Sequence, residues 1–388
     1  MSDEIIMTEG LSFLYAGNDR LSLDGVDIRI RPGVKTAILG ANGAGKSTLF
    51  YHFNGVFEPS EGTVYFDGQP ISYRKKALKA LRSRVSVVLQ NPDDQIFGQT
   101  VEDDIAYGPR NMKLPEEEVS ARVEEAIGLV GLENLRGRNT LQLSYGQRKR
   151  LALAGALAMR PEVLIMDEPT AGLDPQMALE LMELAEQLHH NGTTVVISTH
   201  DIDLAYAWAD EIHVLRKGKL IYSGDPEVFY SDASKVYLTG IMQPSMFLIN
   251  KSMCDMRGVP EAPYPRTETQ LVSKMASGDK GKLIVMPVDD VLDKYMMDAA
   301  TDGLGENLVT GIFGYHTRGM LGDSMLPIDY VFEGFEACMS DCLMGKDAVL
   351  FCDRDCVDLI ESKVRILEDY GTVVEMKVLE GPRGTPAD

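Results

Sequence analysis

The sequence predicts an α/β protein with two parts, a larger core that carries an inserted helical subdomain and a small C-terminal α/β domain. Three observations lead to this prediction. A glycine-rich loop at residues 40–48 joins a short apolar strand to a helix, which is the context of a phosphate-binding loop. Three later runs of β-branched residues lack alternation, as parallel strands buried on both faces do. Beyond residue 280, strands and helices alternate again.

The composition is that of an ordinary globular chain. Of the 388 residues, 44% are hydrophobic and 25% are charged, close to the average for soluble domains. No apolar run reaches the roughly 18 to 20 residues of a membrane helix, and no signal peptide is predicted. We therefore expect a cytosolic chain unless another subunit holds it at a membrane. The formal net charge of −21 argues against a nucleic-acid partner, because phosphate backbones select basic surfaces.

The cysteines divide the chain into two modules, since all five follow residue 250: Cys254, Cys338, Cys342, Cys352 and Cys356. We predict a first module at residues 1–240, with a helical subdomain at about 91–160. A tail or linker rich in Pro, Met and Gly follows at 241–281. An accessory α/β domain, for which a regulatory role is one option, occupies 282–388.

The first module has the signals of an interrupted sheet. Its predicted strands lie at residues 5–17, 26–40, 85–90, 163–169 and 193–201, and a hairpin with a Lys-Gly turn is predicted at 211–225. Its predicted helices lie at 46–55, 101–112 and 115–132 and after Ser144. The helices between the third and fourth of these strands form the predicted subdomain.

Predicted strands and helices alternate more regularly in the accessory domain. Four strands are predicted at 282–288, 308–315, 348–353 and 372–379, and three helices at 289–300, 330–344 and 356–370. This alternation predicts a small parallel sheet, because parallel neighbours need a crossover connection between them.

The loop GANGAGKST fits the pattern G-x-x-x-x-G-K-[ST]. Its glycines let the backbone curl so that N–H groups face the β- and γ-phosphates of a nucleotide. Lys46 would neutralise those oxygens, and the Ser47 hydroxyl would ligate Mg²⁺. The predicted nucleotide contacts are Gly40, Ala41, Asn42, Gly43, Ala44, Gly45, Lys46, Ser47 and Thr48.

Four polar residues close the later strands, where open α/β sheets place their ligands. Asp167 suits a magnesium site, and Glu168 could polarise an attacking water. Gln90 could reach metal and water as a sensor of the γ-phosphate, which His200 could contact directly. Taken singly, each has an ordinary explanation, as an acidic turn, a loop amide or a surface or core histidine.

A second anion-binding signal is LSYGQRKR at residues 143–150. A serine and a glycine stand at a predicted helix start, and three cations follow. Free N–H groups and the positive end of the helix dipole favour an anion there. One chain therefore carries two sites that suit phosphate.

In this order, the motifs resemble those of the ATP-binding cassette (ABC) ATPases. The match comprises the loop at 40–48, Gln90, the signature LSYGQ at 143–147, the strand and acidic pair at 163–168, AGLD at 171–174 and His200, and it covers about residues 1–240. The resemblance implies a P-loop ABC cassette fold, hydrolysis of ATP with Mg²⁺, and head-to-tail pairing with a second cassette, identical or a paralogue.

The resemblance also explains the second anion site. In such pairs the signature of one subunit caps the ATP held by the other, which implies that Ser144, Gly146 and Gln147 contact the partner's nucleotide. Asp174 would lie near the seam between the two chains. Tyr15 matches the family's aromatic that stacks on adenine, although a buried strand aromatic is an equal alternative. The family has glycine where this chain has Tyr145, a change we expect to be tolerated.

The segment QNPDDQIFGQTVEDDIAYGPRNM, residues 90–112, narrows the resemblance. It is similar to the ATPases of energy-coupling factor transporters, in particular the cobalt and nickel importers. That resemblance implies a groove for a coupling helix of an integral membrane subunit, a separate substrate-binding membrane component, and a peripheral location on the cytoplasmic side of the cell membrane. The alternatives are a vitamin-type energy-coupling factor, another ABC importer and, least favoured, a soluble ABC protein.

The cysteines of the accessory domain allow two interpretations. Cys338 and Cys342 lie four apart in a predicted helix, Cys352 ends a strand, and Cys356 begins the next helix. A soft-metal or thiol sensor for a metal importer is one hypothesis, to which His316 could add a ligand. Packing of small, reduced side chains in a core is the other, and we favour it because free cysteines are usually buried.

Overall fold

The computed structural model describes residues 4–289, 308–324 and 326–379. These residues form two compact units. The first unit contains the described residues up to Ala178 together with Leu188–Ser245. The second contains Leu179–Gln187 together with the described residues from Met246 onward.

The strands of the first unit are β1 (Ile6–Phe13), β2 (Leu23–Val26), β3 (Arg29–Ile30), β4 (Thr36–Leu39), β5 (Glu61–Phe66), β6 (Gln69–Pro70), β7 (Val85–Val88), β8 (Val163–Asp167), β9 (Thr194–Thr199), β10 (Glu211–Arg216) and β11 (Lys219–Gly224). Its helices are α1 (Lys46–Phe53), α2 (Lys75–Arg84), α3 (Val101–Asn111), α4 (Glu116–Val130), α5 (Tyr145–Leu157), α7 (Ile202–Trp208), α8 (Pro226–Ser231) and α9 (Ala233–Thr239). Helix α6 (Pro175–His190) contributes residues to both units.

A six-stranded sheet in the order β11-β10-β4-β9-β8-β7 forms the centre of the first unit. Five of its strands are parallel, and only β11 pairs antiparallel, at the edge. The predicted hairpin is confirmed, because β10 and β11 join at Lys217 and Gly218, which both have positive φ. Every residue of β8 and β9 is buried, as expected for central strands covered on both faces.

A second sheet, β2-β1-β5-β6 with β3 paired to β1, is antiparallel. Its inner residues share a hydrophobic core with α1, in which Leu49, Phe50 and Phe53 are fully buried. This core fixes α1 under the loop at 40–48, so the loop rests on a rigid base.

The inserted helical subdomain is also confirmed. Helices α3, α4 and α5 pack against one another, and apolar positions at helical spacing, such as Val119, Val123 and Ile127 of α4, are buried between them. A short connection leads from α5 to the start of β8, the strand whose far end carries the acidic pair.

The second unit contains α10 (Ser245–Arg257, whose first residue belongs to the first unit), α11 (Glu268–Met275), β12 (Lys282–Val288), β13 (Val309–Phe313), α12 (Tyr315–Ser324), α13 (Gly334–Leu343), β14 (Ala348–Asp353), α14 (Val357–Ile366) and β15 (Glu375–Val378). Its sheet has the order β13-β14-β12-β15, and all three pairings are parallel, as predicted. Hydrophobic clusters cover both faces of this sheet.

The structure differs from the sequence-based expectation within residues 241–281 and 308–315. Residues 241–281, predicted to be a tail or linker, contain α10 and α11, and Phe247, Asn250 and Cys254 bury one face of α10 at helical spacing. The predicted strand 308–315 ends at Phe313, because Tyr315 already begins α12. The helix predicted at 289–300 lies outside the described residues, apart from Asp289.

Within residues 4–289, 308–324 and 326–379, no helix combines the length and the apolarity of a membrane-crossing segment.

Candidate nucleotide site

The loop at 40–48 joins β4 to α1, and its backbone conformation requires glycine at residues 40 and 45. A Cβ on Gly40 would lie 2.4 Å from the carbonyl oxygen of Leu215, and one on Gly45 would lie 2.8 Å from that of Ser22. Gly45 also has a φ of +110°, a conformation that L-residues avoid. At these two positions the loop lies too close to neighbouring backbone to carry a side chain, and backbone N–H groups are what a phosphate-binding loop offers.

Lys46, Glu168 and His200 form a continuous chain of contacts. The Lys46 ammonium group lies 3.1 Å from Oε1 of Glu168 and donates to the carbonyl oxygen of Gly40 at 2.7 Å. Oε2 of Glu168 lies 2.8 Å from Nδ1 of His200. Lys46 and Glu168 are buried, whereas the His200 side chain is 63% exposed. Residues that are far apart in sequence thus meet beside the loop.

Asp167 and Ser47 offer oxygen ligands of the kind that Mg²⁺ prefers. Asp167 is buried at the end of β8, and its Oδ1 accepts a hydrogen bond from the Ser198 hydroxyl of the neighbouring strand. Ser47 lies in the first turn of α1, and Gln90 is exposed just after β7. One carboxylate, one hydroxyl and one amide fit a partly hydrated Mg²⁺ held together with phosphate oxygens.

The turn after β8 is held on two sides. Glu168 has φ +48°, which is uncommon for a residue with a side chain. Its N–H donates to the Ser198 hydroxyl at 3.0 Å. Its carbonyl oxygen and that of Pro169 accept hydrogen bonds from the buried Lys149 ammonium group at 2.8 and 2.9 Å. Burial lowers the pKa of Lys149 to about 8, although Glu168 and Asp167 act in the opposite direction.

The signature segment begins α5 with a complete capping box. The Ser144 hydroxyl accepts from the N–H of Gln147 at 3.2 Å, and the Gln147 side chain accepts from the N–H of Ser144 at 2.9 Å. Ser144 is exposed, so this helix start is accessible. Gly146 is buried against Met177, where a Cβ would lie 2.3 Å from the Met177 methyl carbon.

Tyr145, the residue that departs from the family pattern, contacts two neighbouring loops. A Cβ on Gly172 would lie 2.8 Å from the ring of Tyr145, and the Tyr145 hydroxyl donates to the carbonyl oxygen of Gln90 at 3.4 Å. The large side chain is therefore accommodated within its own chain.

Tyr15 lies beside the end of the loop at 40–48, and Asp174 directly precedes α6. The Tyr15 hydroxyl is 3.1 Å from the Thr48 hydroxyl at the end of the loop, and its ring packs edge-on against Phe13 and Phe57. Asp174 is exposed, and its carboxylate accepts from the N–H of Met177 at the start of α6. Their predicted contacts to adenine and to a partner chain stay predictions.

A groove of about 740 Å³ lies on the helical subdomain. Its lining includes Asp93, Phe97 and Leu141, and the Leu141 side chain is 89% exposed. Gln95 directly precedes the lining residue Ile96, and its side chain accepts from the N–H of Leu89 and donates to the carbonyl oxygen of Ala152. These hydrogen bonds connect the segment that borders the groove both to the residue before Gln90 and to α5.

Sequence reasoning assigned no role to Lys149, Ser198 or Gln95. Lys149 was visible as one of three cations in the signature, and Gln95 as part of the PDDQ segment. Their partners could not be read from the sequence, because each contact joins residues at least six positions apart on different elements.

The cysteines of the second unit do not assemble into a thiol site. All five are buried free thiols, and burial raises the pKa of Cys342 to about 12 and also raises the pKa values of Cys338, Cys352 and Cys356. In the described part of the chain, only Asp353, Asp355 and Cys356 bring three potential ligand atoms together.

That group is a poor metal site, because the Asp353 carboxylate already accepts hydrogen bonds from both the N–H and the hydroxyl of Thr317 and from the N–H of His316. The ring of His316 lies elsewhere, with Nε2 3.2 Å from the carbonyl oxygen of Asp289. Packing of neutral thiols in a core therefore accounts for these residues.

Together, the glycine cradle, the buried acidic pair at the end of β8 and the capped signature helix define a cassette-type P-loop ATPase. A family model described as ABC transporter matches residues 23–171. An energy-coupling factor transporter ATP-binding protein, EcfA, of Methanocaldococcus jannaschii is 46% identical over 240 residues, which are 62% of this chain and 86% of that protein.

Two solved structures are also similar to this chain. One is cbiO1 of Clostridium perfringens, described as part of the ABC transporter complex cbiONQ, with 43% identity, a TM-score of 0.54, and coverage of 61% of this chain and 96% of that one. The other is a dimeric post-hydrolysis state of the cassette MJ0796 bound to ADP and Pi, with 27% identity, a TM-score of 0.52, and coverage of 57% and 98%.

The chain belongs to the ABC transporter ATPases, within the group of the energy-coupling factor transporter ATP-binding proteins. It is accordingly an ATPase subunit of a transporter of this type. ATPases of this family bind ATP and work with a second cassette and with membrane components.

Proposed function

We propose that two cassettes of this kind close head to tail around two MgATP molecules and so power an importer for cobalt or nickel ions. The observation that carries the hydrolytic part of this proposal is the contact chain from Lys46 through Glu168 to His200 beside the bare loop. A carboxylate, a cation and an imidazole thus stand together beside the loop that we propose holds the γ-phosphate of ATP.

In the proposed mechanism, the loop N–H groups and Lys46 hold the β- and γ-phosphates. Ser47, Gln90 and Asp167 would hold Mg²⁺, which when bound neutralises charge on the phosphate oxygens. When phosphate oxygens bind the Lys46 ammonium group, Lys46 no longer pairs with Glu168. The Glu168 carboxylate can then accept a proton from the attacking water. His200, through its 2.8 Å contact, would keep the Glu168 carboxylate in place and would itself contact the γ-phosphate.

The signature helix completes the site of the other subunit in this proposal. Ser144 and Gly146 stand at the start of α5, where backbone N–H groups and the helix dipole favour an anion. The capping box uses the N–H of Gln147 and leaves the preceding N–H groups of the first turn available. Exposure of Ser144 and Asp174 supports their placement at a seam between two chains.

We propose further that the groove around Phe97 and Leu141 receives a coupling helix of an integral membrane subunit, which holds the chain at the cytoplasmic side of the membrane. Both side chains are apolar and strongly exposed, and such patches usually mark interaction sites. Gln95, next to the lining residue Ile96, accepts from the N–H of Leu89, and this hydrogen bond would relay occupancy of the groove to the adjacent Gln90.

Replacing Leu141 by aspartate should weaken association with the membrane subunit by at least about tenfold, because a charge would enter an apolar contact. Co-purification and affinity measurements in detergent check this. Val228→Asp is the matched control, since Val228 is an exposed apolar residue of α8, outside the groove lining. Equal binding by both variants would place the membrane contact elsewhere.

The choice of solute is supported by the similarity of residues 90–112 to the cobalt and nickel importers. We expect ATP-dependent uptake of labelled cobalt or nickel into vesicles that contain this chain and its membrane components, and no uptake with Glu168→Gln. Uptake of a vitamin with no uptake of either ion would assign the chain to a vitamin-type transporter.

A further inference from the structure

Lys149 is a buried cation whose partners are backbone carbonyls. It lies in the second turn of α5, and its side chain is 3% exposed. The ammonium group donates to the carbonyl oxygens of Glu168 and Pro169 at 2.8 and 2.9 Å. Burying an ammonium group is unfavourable unless hydrogen bonds compensate, so these two contacts account for its position.

The two carbonyls belong to the turn that orients the proposed base. Glu168 has φ +48°, and a non-glycine residue keeps such a conformation only when its surroundings hold it. The Ser198 hydroxyl accepts a hydrogen bond from the N–H of Glu168, and the Lys149 ammonium group donates one to the Glu168 carbonyl oxygen. Because the Glu168 side chain leaves from this clamped backbone, its carboxylate is directed at Lys46 and His200.

Helix α5, which carries Lys149, starts directly after its cap residue Ser144. One rigid element therefore carries both the residues proposed to contact the partner's ATP and the lysine that clamps the turn of this chain's own base. We propose that Lys149 is a positioning residue, which fixes Glu168 for hydrolysis and links it to the helix that contacts the other nucleotide. This inference rests on the proposed roles of Glu168 and Ser144.

The test is Lys149→Met in the full chain, because methionine fills the space but donates no hydrogen bond. We expect kcat for ATP to fall by about 10- to 100-fold, since a small misplacement of a reacting group is costly. The KM for ATP should stay within about twofold, and cooperativity in ATP should fall. Lys149→Gln, which keeps an N–H donor, should recover part of kcat.

Arg122→Met is the matched control. Arg122 also donates to two carbonyl oxygens, those of Ala158 and Met159, at 3.3 Å each, but these lie beyond the end of α5. Its loss should lower the melting temperature without lowering kcat. If the Lys149→Met chain does not fold, Lys149→Ala, which also removes the hydrogen-bond donor, supplies the same comparison.

A kcat within about twofold of the wild type for both Lys149 variants, or an equal fall in the Arg122 control, would overturn the inference. Glu168→Gln is assayed in parallel to separate this result from failure of the proposed function. An unchanged rate in that variant would refute the role of Glu168 itself, whereas a reduced rate there with normal Lys149 variants refutes only the positioning role.

Discussion

Replacing Glu168 by glutamine should lower kcat for ATP hydrolysis by about 10²–10⁴-fold, the usual contribution of a general base. Glutamine keeps the size of the side chain and can still hydrogen-bond His200, but it cannot accept a proton from water. ATP binding should persist, because the loop N–H groups and Lys46 are untouched. The measurements are phosphate release at steady state and equilibrium binding of ATP.

The variant should also accumulate as an ATP-bound dimer, since closure would no longer be followed by hydrolysis. Size-exclusion chromatography with and without ATP detects this. Glu162→Gln is the control: Glu162 precedes the same strand, β8, but its exposed carboxylate pairs with Arg84. A wild-type rate in the Glu168 variant would remove this residue from the mechanism.

The nucleotide site was largely predictable because its signals are local. The loop needs glycines at fixed spacing next to a strand and a helix, and Asp167 and Glu168 directly follow an apolar run. Residues at the carboxyl ends of parallel strands must converge at one edge of the sheet. The meeting of Lys46, Glu168 and His200 follows from that geometry.

Contacts between distant segments were not predictable in the same way. Nothing in the cationic run of the signature distinguishes Lys149, which is buried, from its neighbours Arg148 and Arg150, which are not. The difference arises only when α5 packs beside the turn after β8. Helices α10 and α11 were missed because proline, methionine and glycine nearby obscured the buried face formed by Phe247 and Cys254.

The second large effect expected concerns the sharing of each ATP site between two chains. Ser144→Asp should abolish hydrolysis although aspartate is a good helix cap, because its negative charge would stand where the partner's phosphate binds. Lys46→Met should abolish hydrolysis by removing the phosphate-binding cation. For each variant alone we expect a fall in kcat of about 10²–10³-fold, the cost of losing one group that stabilises the transition-state charge.

Mixing the two inactive chains should restore activity. In a mixed pair, the intact loop of the Ser144→Asp chain meets the intact signature of the Lys46→Met chain, while the other site carries both defects. Random pairing makes about half of the dimers mixed, and each mixed dimer has one complete site out of two. About a quarter of the wild-type rate is therefore expected if the sites act independently.

The control is Thr267→Asp, the same type of cap exchange at the start of α11, which should leave the rate unchanged. A Ser144→Asp chain that is fully active alone, or a mixture no more active than its components, would mean that each chain completes its own site, because only a site divided between two chains can be rebuilt from two defective ones.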